Sequence, residues 1–209
     1  EYILLLNPDS KVLPKTLKTM IDFMDQNLDV GASSCKVELG DGTLDWASHR
    51  GFPTPWASLL YFVFKNRRLY NLTDRNLEEI HEVDSIVGAF MLLRKSVLDK
   101  VGFFDEEYFM YAEDIDLCFR IKQAGFKVMY VPIVKILHLK GISSGIKKHS
   151  QDLSPANKEA KKRSLDYFYS TMKIFYRKHL EKKYPFLINW LVYLGINVKW
   201  FLAKRSMSV

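Results

Sequence analysis

Cysteine is scarce: two in 209 residues, Cys35 and Cys118. They stand far apart, each within an apolar run, and no C-x-x-C spacing occurs. A zinc site of that type is therefore unsupported, and both are expected as buried free thiols, as in a reducing compartment. Internal repeats and low-complexity tracts are also missing, so the chain has none of the marks of a repeat array or a disordered spacer. Nor is there a clean run of about 20 apolar residues, the length that crosses a bilayer. The nearest, "FLINWLVYLGINVKWFLAKR" at 186–205, is interrupted by Asn189, Asn197 and Lys199 and contains Gly195. Its expected place is in a membrane interface, with Trp190, Tyr193 and Trp200 at head-group depth, rather than across the bilayer. No secretory signal pattern is present. The opening "EYILLLNPDS" has the character of a buried strand, and the natural protein is expected to continue upstream of it.

The composition is that of a folded protein, with 48% hydrophobic and 26% charged residues. The net charge of +7 is concentrated: between Lys158 and Lys183 nine Lys/Arg face three Asp/Glu. A basic patch of that kind points to an anionic partner or a solvated face.

Along the chain, "YILLL" predicts a strand covered on both faces in a parallel sheet. "LPKTLKTMIDFMDQN" predicts a helix with Pro14 in its first turn and Leu17, Met20, Ile21 and Met24 on one face. "VGASSCKVEL" predicts a second strand, closed by the turn "GDGT". Residues 51–80 are ambiguous: "WASLLYFVF" suits a short helix or a strand. "VDSIVGAFMLLRK" resumes as strand, interrupted at Gly88, where a ligand or another backbone could approach. A short helix ending at Gly102 follows, then a helix after Glu113 ending at Gly125, and two strands, "FKVMYVP" and "VKILHL". From 156 to 183, Leu165, Phe168, Tyr169, Met172, Phe175, Tyr176 and Leu180 form a helical stripe. The fold class is α/β, with a C-terminal helical extension and a domain boundary expected at 150/151.

The residues with chemical potential are acids. In "FMYAEDIDLCFRIKQAG" (109–125), Glu113, Asp114 and Asp116 crowd a helix start. A helix N-terminus stabilises negative charge, so these could be capping acids. The aromatics Phe104, Tyr108, Phe109 and Tyr111 beside them suggest more: an acid left ionised and unpaired against an apolar wall can act as a general base. Asp9 follows the first strand, at the end where open α/β sheets bind ligands, and a carboxylate there suits a hard divalent cation. His138, after the last strand, is a third candidate. Spacing carries the reading as far as an anion or metal site in an α/β sheet, and names no reaction.

Three ordered pieces go further: "LLLNPDS" at 4–10, the block from "VDSIVGAFMLLRK" to "FKVMYVP" at 83–132, and "HLKGISS" at 138–144. Together they resemble the family 2 glycosyltransferases of GT-A fold, especially the rhamnosyltransferase-like branch. The resemblance implies a Rossmann-like mixed sheet whose first, nucleotide-binding portion would precede Glu1, leaving residues 1–150 as the metal and acceptor side. It implies a nucleotide-diphosphate sugar donor, a glycan or lipid-linked acceptor in cell-surface polysaccharide synthesis, and Mg²⁺ or Mn²⁺. The family's D-x-D motif falls on Asn7-Pro8-Asp9, with Asn7 in place of the first acid. Asp9, and in some members His138, would then hold the metal. Asp114 inherits the role of catalytic base with Glu113 in support, Gly88 and Ala89 fall where donor and acceptor meet, and Asp116 orients the helix start or a basic partner. By the same resemblance the basic, aromatic tail (151–209) would lie on an anionic membrane surface on the cytoplasmic side.

Two other readings are weaker. A glycoside hydrolase needs two carboxyl groups roughly 5–9.5 Å apart across the scissile bond, which neighbouring Glu113 and Asp114 do not supply. The other is a non-enzymatic, membrane-associated scaffold or binding fragment that uses the basic helix; nucleic acid is not expected as its partner, because the aromatics of that helix lie on its apolar stripe rather than as stacking platforms.

Overall fold

A computed structural model describes residues 1–139 and 158–206. In chain order the elements are β1 (Tyr2–Leu6), β2 (Ser10–Val12), α1 (Thr16–Gln26), β3 (Val30–Leu39), α2 (Pro55–Phe62), α3 (Arg68–Asn71), β4 (His81–Glu82), β5 (Phe90–Arg94), α4 (Lys95–Val101), α5 (Glu113–Gln123), β6 (Lys127–His138), α6 (Lys158–Phe175) and α7 (Phe186–Ser206). The chain divides into two compact units: 1–104 with 114–139, and 105–113 with the C-terminal helices. The boundary expected at 150/151, the end of the "HLKGISS" piece and the first residues of the 156–183 stripe lie outside the described residues.

The first unit is built on one mixed sheet, in the order β1-β5-β3-β6-β2, with β4 pairing β6 off that path. Strands β3 and β6 are parallel, and β5 runs antiparallel to both β1 and β3. The carboxyl ends of β1, β3 and β6 therefore share one edge of the sheet. Side chains alternate along β5: Met91 and Leu93 enter a core with Leu98, Leu117, Cys118 and Ile121. Phe90 and Leu92 enter another with Met20, Met24, Cys35 and Ile136. This period of two places α1 on one face of the sheet and α4 and α5 on the other. Both cysteines are free and buried, one in each core. Burial pushes both thiols up to about 12, so they are inert at neutral pH.

Several expectations are corrected. Strand β1 pairs antiparallel with β5 rather than lying within a parallel sheet; its apolar run packs on both faces, Ile3 and Leu5 against one core and Tyr2 and Leu4 against the other, and it stays half-buried because it is the edge strand. The strand expected from residue 83 begins only at Phe90, so Gly88 lies in the loop before it. The two strands expected after Gly125 are one, β6, in which register with β3 jumps from Cys35↔Val131 to Lys36↔Lys135. Pro132 sits in that jump, because it cannot donate to the ladder. Helix α1 starts after Pro14, at Thr16, and leaves Leu17 exposed while Met20 and Met24 are buried. The ambiguous "WASLLYFVF" is helical at Pro55–Phe62, where Thr54 Oγ1 accepts from the Ala57 N–H and Pro55 opens the first turn.

Two arginines close helix ends. Arg94 donates to the carbonyls of Met24, Asn27 and Val30, and Arg120 to those of Val101, Gly102 and Phe103. Met24 and Val101 lie in the last turns of α1 and α4, and Asn27 and Gly102 cap them, where a helix leaves carbonyls open, while Val30 opens β3 and Phe103 follows the second cap. Asp116, 1% exposed, accepts from Arg120 Nε at 2.8 Å. Its place in the structure is thus as the buried counter-charge of that clamp.

Close packing beside the site gives a stability test. A Cβ built on Gly51 would lie 2.2 Å from the Leu69 carbonyl oxygen, a backbone atom that cannot rotate away. Gly51→Ala should destabilise the fold by about 1–3 kcal/mol, the usual cost of overpacking. Gly88→Ala, where an added Cβ meets nothing within 4 Å, should leave the urea midpoint close to that of the parent.

Candidate active site

Three loops and one strand end converge at the shared edge. The Asn7–Asp9 turn leaves β1 and is held by Ser10 N–H to Asn7 O (3.0 Å), Ser10 Oγ to Ala89 O (3.1 Å) and Leu139 N–H to Asp9 O (2.9 Å). His138 ends β6, opposite Ser10 of β2 and Leu39 of β3. Asp45 follows the turn after β3, where its backbone N–H bonds Val37 O and its carboxylate caps the short turn 46–48 through Ala47 N–H.

His138, 4% exposed, lies between two carboxylates. Its Nε2 is 3.2 Å from Asp9 Oδ1, and its Nδ1 is 3.2 Å from Asp45 Oδ2. Asn7 Nδ2 approaches Nε2 at 3.4 Å. With Nδ1–H donating to Asp45, the Nε2 lone pair faces a carboxylate oxygen, and two electron-rich atoms at that separation need a positive charge between them. A metal ion would supply that charge. An octahedral ion with bonds of about 2.1 Å sets neighbouring ligands ~3.0 Å apart, close to the observed gap. A histidine ligand whose other nitrogen donates to a carboxylate is also the usual outer-shell arrangement at metal sites. Among the described residues no group of three or more His, Cys, Asp or Glu side chains is disposed to hold an ion. The fit is thus to an ion that takes two protein ligands and completes its shell with phosphate oxygens and water, as Mg²⁺ commonly does.

Asp114 forms a separate group. It is buried near the start of α5; its Oδ2 accepts from Arg50 Nη2 at 3.0 Å and its Oδ1 from the Ile115 N–H at 2.8 Å. The expectation of an unpaired carboxylate is therefore corrected: Asp114 has a buried cationic partner. Burial is the largest single influence and works against the Arg50 charge, but Asp114 together with smaller contributions from Tyr70, Cys118 and Asp45 outweighs it, and the guanidinium is held charged above its ordinary range. Arg50 is itself fixed by backbone bonds with Ser85 in both directions. Its Nε–H is buried without a protein partner among the described residues. The structure brings Asn7, Asp9 and His138 together, adds Asp45, and ties Asp114 to Arg50. Asp114 makes no direct contact with Asp9 or His138, but the charge of Arg50 is felt by both Asp114 and Asp45.

Glu113 opens α5 and belongs to the second unit. It is preceded by Tyr111 and Ala112, both at positive φ (72° and 65°). Two consecutive non-glycine residues in that region carry strain of order 1–3 kcal/mol each, a feature that gathers at functional sites. Ala89 is buried and offers its carbonyl to the Asn7 turn. A depression of about 280 Å³ is lined by Arg75, Glu82, Asp84 and Lys122 and includes none of these residues.

Sequence reasoning missed Asp45 and Arg50. Both lie beyond the legible strand, in "TLDWASHRG", and their partners are 93 and 64 residues away. No local spacing signals such pairs.

Arg50→Met would strand a buried carboxylate, and the expected loss of stability is about 3–5 kcal/mol by urea unfolding. Adding Asp114→Leu should return most of it. A loss in the single variant that the second substitution fails to relieve would mean that Arg50 supports the fold by some other contact.

The model of glycosyl transferase family group 2 matches residues 2–201. Rhamnosyltransferase WbbL of Escherichia coli (strain K12) is 36% identical over 141 residues, 66% of this chain and 52% of that protein. The N-acetylglucosaminyl-diphospho-decaprenol L-rhamnosyltransferase of Mycobacterium tuberculosis (strain ATCC 25618 / H37Rv) is 30% identical over 151 residues, 69% of this chain and 49% of that protein. The chain thus spans about half the length of these relatives. Among solved structures, GalNAc-T7 with UDP, GalNAc and Mn²⁺ aligns over 84% of this chain and 33% of its own, at TM-score 0.46 and 14% identity, a likeness too weak to place any residue.

Proposed function

Because the chain belongs to glycosyl transferase family group 2, we propose that it carries the metal and acceptor side of an inverting GT-A glycosyltransferase. The enzyme moves a sugar from a nucleotide-diphosphate donor to a glycan or lipid-linked acceptor in cell-surface polysaccharide synthesis. One relative's name specifies a diphospho-decaprenol-linked rhamnosyl transfer, which supports a lipid-linked acceptor; in this reading the two meet at the cytoplasmic face of a membrane. The observation that carries the reading is the Asp9–His138 pair at the carboxyl ends of β1 and β6, backed by Asp45.

Asp9 and His138 would hold Mg²⁺ or Mn²⁺, with Asn7 beside them. When bound, the ion neutralises charge on the departing diphosphate. Asp45 fixes the imidazole so that Nε2 faces Asp9. Asp114 takes the proton from the acceptor hydroxyl as that oxygen attacks the anomeric carbon. Arg50 positions the carboxylate of Asp114. Gly88, where a Cβ would meet open space, and Ala89 border the ground between donor and acceptor. Glu113 supports the strained turn into α5, and Asp116 orients that helix through Arg120.

The test is transfer from a panel of nucleotide sugars to lipid-linked acceptors with Mn²⁺, counting free sugar separately. Release of free sugar without transfer would refute the transferase assignment. Asp114→Asn should lower turnover by about 10²–10⁴-fold, the usual worth of a general base, with nucleotide affinity nearly unchanged. Turnover like that of the parent would remove Asp114 from the mechanism. Asp45→Asn should weaken Mn²⁺ binding by about 10–100-fold, as loss of an outer-shell partner does, measured by titration of the free ion signal. Excess Mn²⁺ should restore activity in Asp45→Asn but not in Asp114→Asn.

A further inference from the structure

Helix α7 presents its polar side to its own protein and its apolar side to the outside. Asn189 Nδ2 donates to the carbonyls of Glu181 and Tyr184 (3.1 Å each), and its Oδ1 accepts from Tyr176 Oη at 2.6 Å. Asn197 Oδ1 accepts from Lys173 Nζ at 2.6 Å. Trp200 Nε1 and Lys204 Nζ both donate to Asp166 Oδ1, at 2.6 and 3.3 Å. The two asparagines among them interrupted the apolar run in the sequence, and they are occupied along α6 and the turn after it. The opposite side is apolar. Leu187, Trp190, Leu191, Leu194, Val198 and Phe201 are 42–63% exposed. At 3.6 residues per turn they fall within an arc of roughly 100°. A surface helix of a water-soluble domain turns such a stripe inward.

The charges around α7 select among the occupants that could cover this arc. Lys182 and Lys183 precede the helix, Lys204 and Arg205 end it, and no acidic residue occurs from 182 to 206. A second copy of α7 laid against it in either direction would bring basic ends onto basic ends. Anionic lipid head groups complement both ends, and the exposed indole of Trp190 suits head-group depth. The contacts with α6 also decide orientation. Helix α6 carries Lys161, Lys162, Arg163, Asp166 and Lys173 and is bonded to α7 as far as Lys204. A spanning α7 would draw those charges into hydrocarbon, or would abandon its contacts and leave Asn189 and Asn197 unpaired there.

We propose that α7 lies flat in the interfacial layer of an anionic bilayer, its Leu187–Phe201 arc immersed and its polar side still bonded to α6. This deepens the membrane clause of the proposed function, but it stands on the geometry of the C-terminal unit and not on the chemistry of sugar transfer.

The test is co-sedimentation of the full chain with vesicles of phosphatidylglycerol and phosphatidylcholine in equal parts, against phosphatidylcholine alone. The expected result is binding to the anionic vesicles, weaker binding to the neutral ones, and release by alkaline carbonate. Leu191→Glu and Leu194→Glu, both on the outward arc, should keep the helical circular dichroism and lower vesicle binding by roughly ten-fold or more. Absence of wild-type binding, unchanged binding by both variants, or carbonate-resistant insertion would each overturn the proposal. So would a wild-type dimer that the substitutions split without any vesicle binding. Transfer to a water-soluble acceptor, measured in parallel, reads the transferase assignment separately from vesicle binding.

Discussion

An imidazole held between two carboxylates is the constraint around which the sheet edge is organised. His138 can sit between Asp9 and Asp45 because three backbones meet there: the turn leaving β1, the turn after β3 and the end of β6. The arrangement is unfavourable without a cation, since burial raises the cost of unbalanced negative charge. A divalent ion would relieve it, and in the proposed function that ion would also bring ligand sites for the phosphate oxygens of the donor.

Arg50 links this group to Asp114. A buried carboxylate with an arginine partner is held in position by a charge-assisted hydrogen bond. A carboxylate without such a partner would be less well placed. The structure favours placement: both oxygens of Asp114 accept a hydrogen bond, while each retains a lone-pair direction for an incoming hydroxyl. Orientation contributes to rate in its own right, because a bound acceptor meets a carboxylate that does not have to search for its geometry.

Local pattern disclosed most of the elements and part of the site. The strand at "FMLLR", the Met20/Met24 face and the glycine stop at Gly102 are consequences of nearest neighbours, and each is found as expected. Pairing direction was not legible in "YILLL", because an edge strand and an enclosed parallel strand can share the same apolar run. Pro132 suggested two strands where a single strand carries an irregularity. Asp9 and His138 stood out by position at strand ends, whereas Asp45 and Arg50 are chosen by partners distant in sequence. The pairing of Asp114 could not be read from its helix, since its counter-charge comes from another loop.

The same limit explains the C-terminal segment. Asn189, Asn197 and Lys199 look like flaws in a membrane segment when only the linear order is visible. In three dimensions the two asparagines sit where α7 meets α6 and its following turn, so hydrogen bonds absorb their polarity. What remains on the outward arc is uninterrupted. Removing a Leu or Phe side chain from water is worth roughly 1.5–3 kcal/mol when complete. Six half-exposed side chains on one arc therefore represent a driving force comparable to the stability of a small domain. Leaving that surface in water is costly, and enclosing it against a copy of itself sets like charges together. A lipid interface meets both conditions, and it is also where a lipid-linked acceptor resides.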